Sequence, residues 1–245
     1  MKDGSKTAVG ERSSAFSGYS RGRELGFLFF PGLDSELRQA VASILSAPVP
    51  YKIGGHIARI GDPFRDLHLV GSGSFKAYSD DTAGREHVAG FFLPGDVIGF
   101  DALYTGRYRA NFVALEESSI TFLPYAELRS LFERCSPLLS EVLRMMSRNI
   151  ARNEVFSGDY SAEERLAGFI TMMAGRYTPL HGEYGHFVLT MARRDIANYL
   201  RLSPETVSRL FTRFGKDGLI RMIGREVVLL DEDSMRGLAS GMNLL

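Results

Sequence analysis

A single cysteine, Cys135, among 245 residues excludes an internal disulfide. No run of about 18 apolar residues occurs, so the sequence offers no membrane-spanning helix. The opening MKDGSKTAVGERSS lacks the apolar core of a secretion signal, which makes the cytoplasm the expected compartment. Net charge is missing as well: 29 Lys and Arg balance 29 Asp and Glu. A neutral chain that binds a polyanion has to gather its positive charge in one place. At 44% hydrophobic and 24% charged, the composition suits one large or two small globular domains.

Residues 1–26, rich in Gly, Ser and charge, are expected to form a flexible extension. A helix is expected from Asp34 to Ala47, with Leu37, Val41, Ile44 and Leu45 on one side. Between Val49 and Pro124 apolar residues alternate over short runs broken by Gly54-Gly55, Gly61-Asp62-Pro63, Gly71-Ser72-Gly73, Asp80 to Gly84 and Pro94-Gly95-Asp96. This punctuation predicts an antiparallel barrel or jelly roll within a domain spanning 27–135. Barrels of this shape also host metal enzymes, but His56, His68 and His87 are dispersed rather than paired one residue apart, so isolated core or surface histidines are the preferred reading. The sequence offers no catalytic residue and no metal ligand set. Cys135 is the one candidate for redox chemistry, against the competing reading of an inert thiol beside a helix start.

Ser136 as N-cap and Pro137 at the first position open a long helix, assigned to 136–158. Along it Leu139, Val142, Met146, Asn149, Asn153 and Phe156 recur at alternating spacings of three and four, which predicts a parallel dimer seam whose asparagines fix the register. A helix packed on its own barrel is the competing reading. Ser161-Ala162-Glu163-Glu164 is a capping box that starts the last domain, 159–245, with Leu166, Phe169, Ile170 and Met173 facing inward and a loop expected from Pro179 to Gly185.

Residues 190–225 carry the functional signal. Ile196, Ala197 and Leu200 give one short helix its apolar stripe, and Val207, Leu210, Phe211 and Phe214 give it to a second. Ser203 and Pro204 start that second helix and Gly218 stops it. The opposite face carries Glu205, Ser208, Arg209, Thr212 and Lys216, a row of side chains suited to base edges. Two strands follow around Ile223, Gly224 and Arg225, which makes this a winged helix-turn-helix. Here the missing charge reappears. Eight Arg and Lys (Arg193, Arg194, Arg201, Arg209, Arg213, Lys216, Arg221, Arg225) face three acids (Asp195, Glu205, Asp217) in a chain that is neutral overall.

The segment Arg194-Asp195-Ile196-Ala197-Asn198-Tyr199-Leu200, followed by Glu205-Thr206-Val207-Ser208-Arg209, resembles the recognition segment of the CRP/FNR family of bacterial transcription regulators, in its FNR and FixK-like branch. Gly90 to Ala102 is similar to that branch's sensor domain, so the resemblance spans about 27–240. It implies an α+β chain with a cyclic-nucleotide-binding-like jelly roll, a dimerisation helix and a winged helix-turn-helix. It further implies a homodimeric regulator of double-stranded DNA, an activator by preference, reading a TTGAT-like inverted repeat. Glu205, Ser208 and Arg209 would read bases, whereas Arg193, Arg194, Thr206, Thr212, Arg213 and Lys216 would hold the backbone. The loop Asp80 to Gly84 stands where comparable loops of the family's activators touch RNA polymerase, with a plain hairpin turn as the alternative. The family's cyclic-nucleotide carboxylate and hydroxyl positions hold Phe100 and Ala110, which disfavours cyclic AMP. One thiol is too few for an oxygen-labile iron–sulfur cluster, and Thr121 stands where the family's internal ligand would be. No cofactor is therefore expected. A haem or small ligand in the barrel is the second reading, and a barrel enzyme fused to a winged helix the third.

Overall fold

The computed structural model describes residues 29–30, 32–154, 156, 158–181 and 184–242, so the expected extension at 1–26 lies outside the described residues. Helix α1 (Ser35–Ile44) precedes eight barrel strands: β1 (Val49–Tyr51), β2 (His56–Ala58), β3 (Asp66–Ser72), β4 (Phe75–Asp80), β5 (Glu86–Phe92), β6 (Val97–Ile98), β7 (Asn111–Ala114) and β8 (Ser118–Pro124). They form two antiparallel sheets, ordered β1-β8-β3-β6 and β2-β7-β4-β5. Strand β3 shows how the layers are built. His68 and Val70 sit on its inner side with Phe75, Ile98, Phe112 and Ile120, while Leu67 and Leu69 sit on the outer side.

That outer side is covered by α1, α2 (Tyr125–Phe132) and α3 (Ser136–Glu154), whose Val41, Leu128, Leu138 and Val142 share one core with Leu67, Leu69 and Leu123. Burying each of these side chains stabilises the layer by roughly 1.5–3 kcal/mol. Helix α1 starts where Asp34 Oδ1 accepts the Leu37 N–H at 2.9 Å. Helix α2 has no counterpart in the sequence reading, because its apolar spacing is only two turns long. Cys135 is a core residue here, 8% exposed and packed with Leu128 and Leu138, so the redox reading loses the accessibility that it requires.

Helix α3 corrects the expected seam. Val142 is 6% exposed and faces the chain's own core, Met146 is partly buried against the same core, and Phe156, also 6% exposed, stacks edge-on to Tyr199 at 5.3 Å. The Asn153 side chain lies outside the described residues. Of the expected seam Leu139 is exposed, and the other exposed apolar positions on the helix are Leu143 and Ile150. The helix has two overlapping apolar faces with the same period, and the chain's own core takes Val142 and part of Met146 from the one that spacing alone selects.

Helix α4 (Ala162–His181) begins at the expected reciprocal cap, with Glu164 N donating to Ser161 Oγ at 3.2 Å and Ser161 N donating to Glu164 Oε2 at 2.7 Å. It runs through Pro179, so the expected loop there starts later. Strand β9 (His186–Val188), α5 (Arg193–Leu200), α6 (Pro204–Lys216), β10 (Ile220–Ile223), β11 (Glu226–Leu229) and α7 (Glu232–Leu238) complete the chain. The last sheet is ordered β10-β11-β9. Among the described residues no helix is long and apolar enough to cross a membrane.

Candidate DNA interface

Helices α5 and α6 meet at Arg201, the only described non-glycine residue with positive φ (57°), where the turn closes through Leu202 N donating to Ala197 O at 2.8 Å. Helix α6 then starts at Ser203, whose Oγ accepts the Thr206 N–H at 3.1 Å, with Pro204 in its first turn. Val207, Phe211 and Phe214 are buried, so the opposite face is forced outward. Glu205, Ser208, Arg209, Thr212, Arg213 and Lys216 are all exposed on α6, and the last five line one shallow surface concavity together with Asp217. The backbone N–H of Glu205 and the Ser203 hydroxyl hold the Glu205 carboxyl below its usual range, so an ionised acceptor stands at the helix N-terminus.

The basic residues are not equivalent. Arg193 Cζ lies over the Phe211 ring, 3.4 Å from its centroid, and burial pushes its guanidinium down to about 10; it braces α5 on α6 rather than extending into solvent. Arg213 is held end-on by Glu163, at 3.0 and 2.8 Å. Arg225 donates to the Leu189 carbonyl at 2.8 Å and to the Thr190 carbonyl, fixing the approach to α5. Arg194 extends outward with its side chain 81% exposed. Lys216 and Arg221 are exposed as well, on α6 and on the first wing strand. The Thr206 hydroxyl accepts from Ser203 Oγ at the cap, and the Ser208 and Thr212 hydroxyls donate to Pro204 O and Ser208 O at 2.8 and 3.0 Å, so Ser208 and Thr212 would meet DNA as acceptors or by turning away from the helix backbone.

Three residues outside the predicted set tie this reader to the barrel. Lys76 of β4 lies 3.2 Å from Asp195 of α5 and 2.8 Å from Glu86, and the Lys76 and Asp195 side chains are 6% and 7% exposed. Asn198 of α5 accepts the Val88 N–H at 2.8 Å and donates to the Glu86 carbonyl at 2.6 Å. Strand β5 is the edge of its sheet, so Asn198 supplies the backbone partners that a further strand would otherwise supply. Val88, Phe91 and Leu93 of the barrel join one core with Phe169, Ile196 and Phe211 of the reader. No sequence signal marks this joint, because charged residues on a short helix read by default as solvated.

Inside the barrel a cavity of ≈ 290 Å³ is lined by Ala77, Phe92, Val97, Phe100 and Phe112, with Arg109, Asp101 and the α3 residue Asn149 at its polar side. Asp101 Oδ2 accepts the Arg109 backbone N–H at 3.0 Å. His68 is 4% exposed and packs against Tyr108 and Phe122. Among the described residues no group of three His, Cys, Asp or Glu could hold a metal ion.

A jelly roll, a long connecting helix and an exposed reading helix backed by a wing define a DNA-binding transcription regulator. Residues 48–135 match the family model described as a cyclic nucleotide-binding domain, and residues 164–238 match the Crp-like helix-turn-helix domain. The transcriptional activator protein anr of Pseudomonas aeruginosa is 37% identical over 78% of this chain and 80% of that protein. Electron transport regulator A of Shewanella oneidensis is 34% identical over 95% of this chain and 96% of its own length. FixK2 of Bradyrhizobium japonicum is similar in structure, with a TM-score of 0.69 at 25% identity, covering 78% of this chain and 96% of that one. The chain belongs to the CRP/FNR family of transcription regulators, and its relatives are regulators rather than enzymes.

Proposed function

We propose that this protein is a homodimeric activator that reads a TTGAT-like inverted repeat without cyclic AMP or an iron–sulfur cluster. The observation that carries the reading is the exposed row Glu205, Ser208 and Arg209 on the N-terminal half of α6. Arg209 forks onto guanine O6 and N7, Glu205 accepts from the paired cytosine N4, and Ser208 meets a thymine. Arg194 and Lys216 hold phosphates, adding affinity and salt dependence without specificity. Arg213 joins them only by leaving Glu163, and Arg193 acts by bracing the helix.

Dimerisation is assigned to the exposed Leu139, Leu143 and Ile150 of α3, with the half-buried Met146 between them at the edge of the core; their 4-3-4 spacing makes the seam. Cyclic AMP has no obvious seat. Phe100 and Ala110 stand in an apolar wall where a ribose and a cyclic phosphate need a carboxylate and a hydroxyl, and Asp101 is already engaged by the Arg109 N–H. A cluster would need thiolates, and the chain has one cysteine, which is buried. The activator role is supported by the name of the Pseudomonas aeruginosa relative. RNA polymerase is the implied partner at Asp80 to Gly84, a hairpin turn tied by Asp81 Oδ1, which accepts from Ala83 N and Arg85 N at 2.8 and 2.9 Å.

The test is a gel-shift titration of the aerobic, ligand-free protein on a TTGAT-N4-ATCAA duplex against a scrambled duplex at fixed moderate salt. Selective binding is the expected result. Equal affinity for both duplexes defeats the reading.

A further inference from the structure

Asp96 lies where barrel, connecting helix and DNA reader meet. It follows Pro94-Gly95 in the turn before β6, and its carboxylate receives Arg152 Nη1 of α3 at 2.6 Å, Arg176 Nη2 of α4, and the Leu93 N–H at 2.8 Å. Arg176 also donates to the Phe91 carbonyl at 3.1 Å, so it is bound to the barrel twice. The side chains are 12% exposed for Asp96, 11% for Arg176 and 27% for Arg152. Burial raises the Asp96 carboxyl, but Arg176 and Arg152 outweigh it and keep the group below its usual range, hence ionised. A carboxylate that receives one guanidinium on each oxygen is directional, whereas apolar packing is not. From α5, the Asn198 amide and the Lys76–Asp195 pair make a second joint between barrel and reader.

We propose that Asp96, with Arg152 and Arg176, and Asn198 are positioning residues that fix the seat of the reader on the barrel and on the dimer helix, and so set which separation of DNA half-sites the protein accepts. The inference rests on the proposed dimeric reading of an inverted repeat. In a dimer, the distance between the two recognition helices is the sum of two paths, each running from the seam on α3 to α6. A loose reader would tolerate several paths; a reader held at two separate joints tolerates one. Each base pair added between half-sites moves them by about 3.4 Å and turns them by about 35°. Side chains 3 Å from their partners do not follow such a step without losing those partners. None of these residues is on α6, the proposed reading helix, so their effect is on spacing and not on which base is read.

The experiment uses the full chain and a set of duplexes carrying the same two half-sites separated by four base pairs, or by one or two more or fewer. The wild-type protein is expected to bind the four-base-pair spacing about tenfold or more tightly than its neighbours, on the scale at which a single mismatch acts. In Arg176→Gln, where Asp96 keeps Arg152, and independently in Asn198→Ala, the affinity for the best duplex should stay within about threefold while that preference falls to about threefold. Thermal melting of each variant checks that the fold survives, and the two variants report on separate joints. Losses that are equal at every spacing in both variants overturn the proposal, because the residues then act only on stability. Wild-type binding that is selective for the half-site but indifferent to spacing overturns it as well. Failure of the wild-type protein to select any inverted repeat defeats the underlying function instead, and is distinguishable by that result.

Discussion

Replacing Lys76 by methionine tests how firmly the reader is seated on the barrel. The substitution keeps the length of the side chain and removes its charge, leaving the Asp195 carboxylate 7% exposed and without its ammonium partner. Removing one member of a buried pair costs roughly 3–5 kcal/mol, most of it from the charge left behind. Two features place this site at the lower end. Glu86, the other partner, is 36% exposed and rehydrates, and Arg194 Nε lies 3.7 Å from Asp195 on a side chain that is 81% exposed and therefore screened by water. A loss of about 3 kcal/mol corresponds to a fall of about 6–12 °C in melting temperature for a chain of this size. The paired variant Lys76→Met with Asp195→Leu removes both charges and fills the same space, so it should recover most of that loss or exceed the parent. Scanning calorimetry of parent, single and double variants measures all three. A fall below about 2 °C for the single variant, or a double variant that melts as low as the single, would refute the argument that an uncompensated charge sets the cost.

Arg209→Ala should cost about 1–3 kcal/mol on the specific duplex and relax choice at one base pair, whereas Lys216→Ala should weaken every duplex alike and flatten the salt slope by about one; titrations on single-substitution duplexes at several salt concentrations separate the two. Ile150→Asp with Leu143→Asp places carboxylates on the exposed seam of α3 and should give a monomer by sedimentation, with selective DNA binding lost. His68 is held neutral by burial, its folded value lowered to about 4 against 6.5 unfolded. The unfolded chain therefore binds the proton first, and stability is full above about 6.5 and declines as pH falls toward about 4, by about 3 kcal/mol in all. Denaturant midpoints measured across that range should fall less steeply in His68→Phe, and an unchanged slope would assign the acid sensitivity to other groups.

What the sequence determined alone is local. The helix-turn-helix was legible because its signals are short-range: Ser203 and Pro204 start α6, Gly218 (φ 75°) follows its end, and the apolar stripe forces Glu205, Ser208 and Arg209 outward whatever else the chain does. The barrel was legible from its glycine-rich turns, and the Ser161–Glu164 cap from its four residues. The tertiary structure decided which of two equivalent faces of α3 meets the barrel, because a period of three and four residues names a face without naming its partner. It also decided which of eight cations stay free for a phosphate, since Arg193, Arg213 and Arg225 are taken by a ring, a carboxylate and two carbonyls that lie 18 or more positions away. Most of all it decided the seat of the reader. Asp96, Lys76 and Asn198 are ordinary polar residues in one dimension, and only folding places them against Arg176, Asp195 and the open edge of β5, where burial makes each contact costly to break.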